Sequence, residues 1–291
     1  MDVCVRTRNV TLNVCIDIIL LTIFSSFLAL FSDYLKPYKR GFFCDDEDIM
    51  YPPKEERISD EQRWYISVFP PIAVIILVEF YRQYRSSNEC TGGDVIFFFG
   101  WNVPYMFQRV YVYSGIFFFG IFMTEMINNT IKFLYGRLRP AFLAVCRPDF
   151  NCTEAAYPHF YVESFSCTNS DIDETNMRLS FPSGHAAFAA YSYIYVVLYL
   201  QKRLDIESSA LLKPLIQFLF VLLTIFVTLS RIQDNRHHWD DVLCGNILGF
   251  FICALMIFTQ TDLFKPNSPT SKEVSSQNLQ LAETAISKSC P

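Results

Sequence analysis

The sequence predicts an all-α, polytopic membrane protein with six transmembrane helices, and three observations predict it. Hydrophobic residues make up 52% of the 291 positions and charged residues only 18%, too apolar a balance for an ordinary water-soluble domain. The apolar residues gather into near-continuous runs, several of them close to the roughly 20 helical residues that cross a bilayer. Between the runs lie short polar stretches dense in Arg, His and Asp.

The first run, about residues 12–31, follows a short stretch carrying Arg6 and Arg8 and lacks a small-residue cleavage site, so it reads as a retained span rather than a signal peptide. Asp17 inside it is costly in lipid and is expected to face protein in a structural role. Residues 32–63 form a polar loop with Cys44, acids at Asp45 to Asp48, and Pro52-Pro53; such a charge run is ordinarily solvated. The second span covers about 64–80, with Pro70-Pro71 expected to kink it and Arg82 and Arg85 following. Val95 to Phe107, broken by Gly100 and Pro104, is short for a span and reads as an interfacial or re-entrant segment.

The third span, about 110–131, ends in Lys132-Phe-Leu-Tyr-Gly-Arg-Leu-Arg139-Pro140. If the helix continues, Lys132 and Arg139 lie two turns apart on one face, and Pro140 ends or bends it. Glu125, seven residues before Lys132, reads more as a satisfied polar residue than as a partner of these cations. The loop 141–181 carries Cys146, Cys152, Cys167 and the glycosylation sequon at Asn151. The fourth span, about 183–200, opens at Pro182-Ser183-Gly184-His185. Ser183 as N-cap would leave the first backbone N–H groups and the positive dipole end facing the loop, a geometry that binds phosphate.

The fifth span, about 214–229, delivers Ser230 to Asp241, SRIQDNRHHWDD, and the sixth covers about 242–264. Residues 265–291 are rich in Ser, Thr, Asn, Gln and Lys and read as a disordered cytoplasmic tail, leaving 1–264 as one six-span domain.

The net charge of -5 argues against nucleic acid as a partner, which relies on basic patches. Ten cysteines without a CxxC pair and four histidines without zinc-ligand spacing argue against a structural metal. Two crossings separate the loop after the third span from the loop after the fifth, so both lie on one face of the membrane. Glycosylation at Asn151 would make that face lumenal or extracellular and both termini cytoplasmic. Cys44, Cys146, Cys152 and Cys167 would then stand in an oxidising space, where at least one disulfide is expected, its connectivity open.

His237 and Asp241 are four apart and share a face if helical, so the carboxylate can hold one imidazole N–H and leave the other nitrogen free to attack. Spacing does not choose between His237 and His238, because Asp240 and Asp241 lie within a turn of either. A wet, charged interhelical loop is the bland alternative. Three cations (Lys132, Arg139, Arg231), a helix N-terminus at Ser183 and Gly184, and two separated histidines suit phosphoryl transfer without a metal clamp.

Lys132 to Pro140 fits KxxxxxxRP, Pro182 to His185 is PSGH, and Ser230 to Asp241 fits SRxxxxxHxxxD. Together they resemble the type 2 phosphatidic acid phosphatase family, most closely its eukaryotic lipid phosphate phosphatases. GFFCDDE at Gly41 to Glu47, GRLRP at Gly136 to Pro140, and HHW followed by DDV extend the likeness over about 41–264. The resemblance implies His237 as the nucleophile, Asp241 as its orienting carboxylate, and His185 as the acid and then the base. Lys132, Arg139, Arg231, Ser183 and Gly184 would hold the phosphate, with no metal and no cofactor. The site would lie at the extracytoplasmic ends of helices 3 to 6, in a plasma membrane or endomembrane.

The implied substrates are lipid phosphates in the bilayer: phosphatidate, lysophosphatidate, sphingosine 1-phosphate or ceramide 1-phosphate. Homo-oligomerisation is left open. Ala141 stands where many members carry histidine. Vanadium haloperoxidases share the constellation but are soluble; glucose 6-phosphatase is closer, being a membrane relative, and the lipid-phosphatase-like GFFCDDE and HHW elements argue for lipid instead. A non-catalytic lipid-phosphate binder, transporter or scaffold is the reading from another class, disfavoured because transporters place ionisable groups near the midplane.

Overall fold

In a computed structural model the described residues are 7–86, 95–150, 152, 159–170, 172–206 and 209–264. The expected tail, 265–291, and Asn151 of the sequon lie outside the described residues. Six long helices dominate: α1 (Thr11–Tyr34), α2 (Asp60–Ser86), α3 (Tyr105–Tyr135), α6 (Gly184–Arg203), α7 (Leu212–Gln233) and α8 (Trp239–Gln260), with short α4 (Phe142–Cys146) and α5 (Glu174–Met177) between α3 and α6. Helices α1, α2, α3, α7 and α8 are long and apolar enough to cross a membrane, and the protein is multi-pass.

The remaining long helix, α6, is less apolar because it faces protein. Fourteen of its 20 residues are buried, against α2, α3, α7 and α8. Its buried tyrosines each donate a hydroxyl hydrogen bond to a neighbouring helix: Tyr191 to Phe117 O and Tyr195 to Tyr113 O on α3, Tyr193 to Ile66 O and Tyr199 to Glu79 Oε1 on α2. Arg203 closes the far end through Glu79 Oε2 at 2.7 Å. Polar groups satisfied in this way are tolerated out of water. Along α8, Gly245 and Gly249 let the backbone of α6 approach; a Cβ at Gly249 would strike the Ala187 carbonyl and come within 2.8 Å of Tyr191 N.

Several elements differ from expectation. Within the segment 95–107, β3 (Val95–Phe98) and β4 (Trp101–Val103) form a hairpin turned by Phe99 and Gly100 at positive φ, and β1 (Thr7–Asn9) pairs parallel to β3. With β2 (Phe42–Phe43) antiparallel to β5 (Tyr161–Val162), the chain is mainly, not wholly, α. Helix α2 carries Pro70-Pro71 in its interior. Helix α3 stops at Gly136, whose φ of 59° and contact with the Tyr38 backbone leave no room for a side chain, so Lys132 and Arg139 do not share one helix. Asp17 is exposed on α1 but meets α3 by accepting from the Tyr111 hydroxyl at 2.5 Å.

The disulfide Cys44–Cys152 and the β2–β5 pair bind the α1–α2 loop to the α3–α6 loop on one side of the bundle, and a second disulfide, Cys146–Cys167, closes the α3–α6 loop on itself. Gly249→Ala should destabilise the α6–α8 contact by about 1–3 kcal/mol through overpacking, seen as a lower thermal unfolding midpoint of the purified protein in detergent.

Candidate active site

The loops on the disulfide-bonded side converge on a cavity of about 240 Å³. The extended stretch after Gly136 sends its two arginines different ways. Arg139 lines the cavity, its guanidinium held by Asn176 O at 2.9 Å and Asn176 Oδ1 at 2.5 Å. Arg137 instead bridges Asp240 Oδ2 at 2.6 Å and Asp241 Oδ1 at 2.7 Å. Lys132, in the last turn of α3, donates to Leu179 O at 2.5 Å.

Lys132, Arg139, Gly184, His185 and His237 all line this cavity, so five of the eight expected site residues meet there. The other three are arranged differently from the sequence expectation. Ser183 is the N-cap residue of α6, yet its fully buried hydroxyl caps no amide and has no partner among the described residues. Arg231, 0% exposed, is committed to Glu56 Oε1 at 3.0 Å, Ile58 O at 2.9 Å and Asp234 Oδ2 at 3.1 Å. Its Nη1 lies 3.4 Å from His185 Nε2, which itself stands 3.1 Å from Ile58 O. Arg231 thus anchors the 56–58 loop behind His185 rather than presenting free donors.

Asp241 is the third. Helix α8 begins at Trp239 with His238 as N-cap, so His237 stands outside the helix and the four-residue face-sharing does not apply. His237 Nδ1 is 3.8 Å from Asp241 Oδ2, beyond hydrogen-bond range, but 2.7 Å from the Ser180 carbonyl. Assigning the proton to Nδ1, it donates there, and Nε2 is left without a protein partner among the described residues. Asp241 Oδ2 accepts from the Ser180 hydroxyl at 2.6 Å, His238 N at 2.9 Å and His238 Nδ1 at 3.0 Å. Ser180 is therefore the link between the carboxylate and the imidazole.

Burial, and after it the cations Arg139 and Lys132, lower His237 to about 3 against the opposing pull of Asp241. The ring is a neutral imidazole at neutral pH, the form that can attack an electrophile. Burial, then Arg236, lowers Arg139 to about 10, and it stays a cation. His238, Asp240 and Asp241 cluster closely enough to suggest a metal site, but Arg137 already bridges the two carboxylates.

Sequence reasoning missed Ser180, Arg137, Glu56, Asp60 and Arg63. Arg137 lies inside the GRLRP element and was within reach; Ser180 acts partly through its carbonyl, which side-chain identity does not advertise.

A buried neutral histidine and a second histidine in a cation-lined cavity, at the ends of apolar helices, define a membrane phosphatase, a hydrolase of phosphate esters. Residues 113–265 match the PAP2 superfamily, and the chain belongs to it. Among its relatives, phospholipid phosphatase 1 of Rattus norvegicus is 34% identical over 256 residues, spanning 85% of this chain and 84% of the relative. Phospholipid phosphatase 2 of Rattus norvegicus is 33% identical over 240 residues, 81% of each chain. Phospholipid phosphatase 2 of Homo sapiens is 32% identical over 259 residues, 88% of this chain and 85% of the relative. No solved structure matches the chain significantly.

Two outcomes are expected. Ser180→Ala removes one of the donors to Asp241 and should lower kcat about tenfold, on the order of one charge-assisted hydrogen bond, in steady-state phosphate-release assays. Because His237 falls from 6.5 to about 3 on folding, the stability it contributes is fully present above pH 6.5 and is lost as pH falls toward 3. Between pH 7 and pH 4.5, His237→Gln should lose less of its thermal unfolding midpoint than the unsubstituted protein.

Proposed function

We propose that the chain is a metal-independent lipid phosphate phosphatase acting on phosphatidate, lysophosphatidate, sphingosine 1-phosphate or ceramide 1-phosphate through a phosphohistidine. The observation that carries this reading is the unpartnered Nε2 of neutral His237 in the cavity shared with Lys132, Arg139 and His185. In the first step Nε2 attacks phosphorus, an N–P bond forms, the ester P–O bond breaks, and His185 gives its proton to the leaving alkoxide. In the second, His185 takes a proton from water, the resulting hydroxide attacks phosphorus, the N–P bond breaks, and inorganic phosphate leaves. Asp60 Oδ1 stands 4.0 Å from His185 Nδ1. Lys132, Arg139 and the α6 N-terminus at Ser183 and Gly184 hold the equatorial oxygens, with Arg231 behind His185. Asp241, through Ser180, fixes the nucleophile.

In this reading residues 1–264 are one domain of six spans, with α6 the fourth. The cavity opens at the extracytoplasmic ends of helices 3 to 6, near headgroup depth, where a lipid presents its phosphate while its chains stay in the bilayer. Two disulfides on that side support a lumenal or extracellular face, with Asn151 glycosylated and both termini cytoplasmic. The relatives' names support a phospholipid substrate.

The test is phosphate release from the four lipids by purified protein with excess chelator. Activity should persist in chelator and fall by about 10³-fold or more in His237→Ala, as for loss of a nucleophile, with acid-labile phosphoenzyme seen only when His237 is present. Chelator-sensitive release, or release unchanged in His237→Ala, overturns the reading. Endoglycosidase should shift the mobility of the cell-expressed protein and not that of Asn151→Gln; an identical shift in both would remove the topological argument from Asn151.

A further inference from the structure

Two residues outside the three motifs converge on the start of α6. Arg63 is in the first turns of α2, and Asn128 lies one turn before Lys132 on α3. Both line the catalytic cavity. A Cβ placed on Gly184 would lie 3.2 Å from Arg63 Nη1 and 3.2 Å from Asn128 Nδ2, so the two side chains roof the helix end whose backbone N–H groups face the cavity.

Both carry unused hydrogen-bonding capacity although buried. The Arg63 side chain is 9% exposed, and its guanidinium is stacked 4.3 Å from the centre of the Phe188 ring. Nη1 donates to Glu125 Oε2 at 3.2 Å, while Nε makes no hydrogen bond, its nearest carboxylate being that of exposed Asp60 at 3.4 Å. Asn128 is 1% exposed and turns Nδ2, a donor, toward Gly184 in the cavity lining, while its Oδ1 has no partner among the described residues. A phosphate oxygen accepts, so the groups it can complete here are donors, Arg63 Nε and Asn128 Nδ2.

Charge points in the same direction. Arg63, Lys132, Arg139 and Arg236 line the cavity against Glu56, Asp60 and Glu125. Without Arg63 the lining would carry three cations and three anions, no surplus for a dianion.

We propose that Arg63 and Asn128 are two further ligands of the phosphate group, donating from Arg63 Nε and Asn128 Nδ2 to its oxygens above Gly184. The ligand class is a phosphate monoester dianion or inorganic phosphate. This rests on the reading of the cavity as the catalytic phosphate site, and it adds a cation from α2, an element that carries none of the three motifs.

The test uses the full chain in detergent micelles. KM and kcat for phosphatidate, and Ki for inorganic phosphate and for orthovanadate, are measured for Arg63→Gln, Arg63→Lys, Asn128→Ala and His237→Ala, with thermal unfolding midpoints alongside. Arg63→Gln should raise KM and both Ki values at least about tenfold, as for loss of a charge-assisted hydrogen bond. Arg63→Lys should recover part of that loss, and Asn128→Ala should raise the same constants about threefold or more, as for a neutral donor. Ki values unchanged in folded Arg63→Gln and Asn128→Ala overturn the proposal. So does a rise in KM for the lipid with Ki for inorganic phosphate unmoved, which would place both residues on the headgroup beyond the phosphate. Hydrolysis surviving in His237→Ala would defeat the catalytic reading itself, whereas its loss there with unmoved Ki values defeats only this inference.

Discussion

The buried carboxylate of Asp241 is the constraint on which the site geometry depends. It is fully enclosed, and an ionised carboxylate out of water survives only where charge and hydrogen bonds replace its hydration. Arg137 supplies the charge, and Ser180 with the His238 backbone and ring supplies the hydrogen bonds. These partners come from the exit of α3, the approach to α6 and the start of α8, and Ser183 N adds a hydrogen bond to the Asp241 carbonyl at 2.9 Å. One carboxylate therefore ties together the three segments that carry the motifs. The Ser180 carbonyl, held by the same arrangement, receives His237 Nδ1 and turns Nε2 toward the cavity.

Helix α6 does for the bundle what Asp241 does for the site. It is enclosed by its neighbours and exchanges tyrosine hydroxyl bonds with α2 and α3, while the glycines of α8 admit its backbone closely. Its first residue, Gly184, is thereby fixed against the cavity while its last turn is pinned through Arg203 to Glu79. Rigid placement of a helix N-terminus is what converts a backbone dipole into a usable anion site.

The electrostatics of the cavity follow from burial more than from any single pair. Acids at Glu56, Asp60 and Glu125 keep the cations from repelling one another, and burial holds His237 neutral. In the proposed reaction that neutral imidazole is the nucleophile and the fixed cations beside it hold the phosphate oxygens.

Much of this was legible in the residues alone. Apolar runs of bilayer length located the long helices, because a chain in lipid must satisfy its backbone internally. KxxxxxxRP, PSGH and SRxxxxxHxxxD named five of the residues that line the cavity, Lys132, Arg139, Gly184, His185 and His237, because phosphate chemistry restricts which side chains serve. The partner of each polar group was not legible. Spacing joined His237 to Asp241 on an assumed helix, but the helix starts two residues later and Ser180 intervenes. Lys132 and Arg139 were placed on one helix, but Gly136 ends it. Arg63 and Asn128 gave no signal, since a lone arginine before a span and an asparagine within one acquire meaning only when two helices cross. Sequence by itself determined the membrane class, the family and the chemical inventory, which depend on composition and local spacing. Tertiary structure alone decided which buried polar atoms find partners and which are left facing the cavity, because that depends on contacts between segments far apart in the chain.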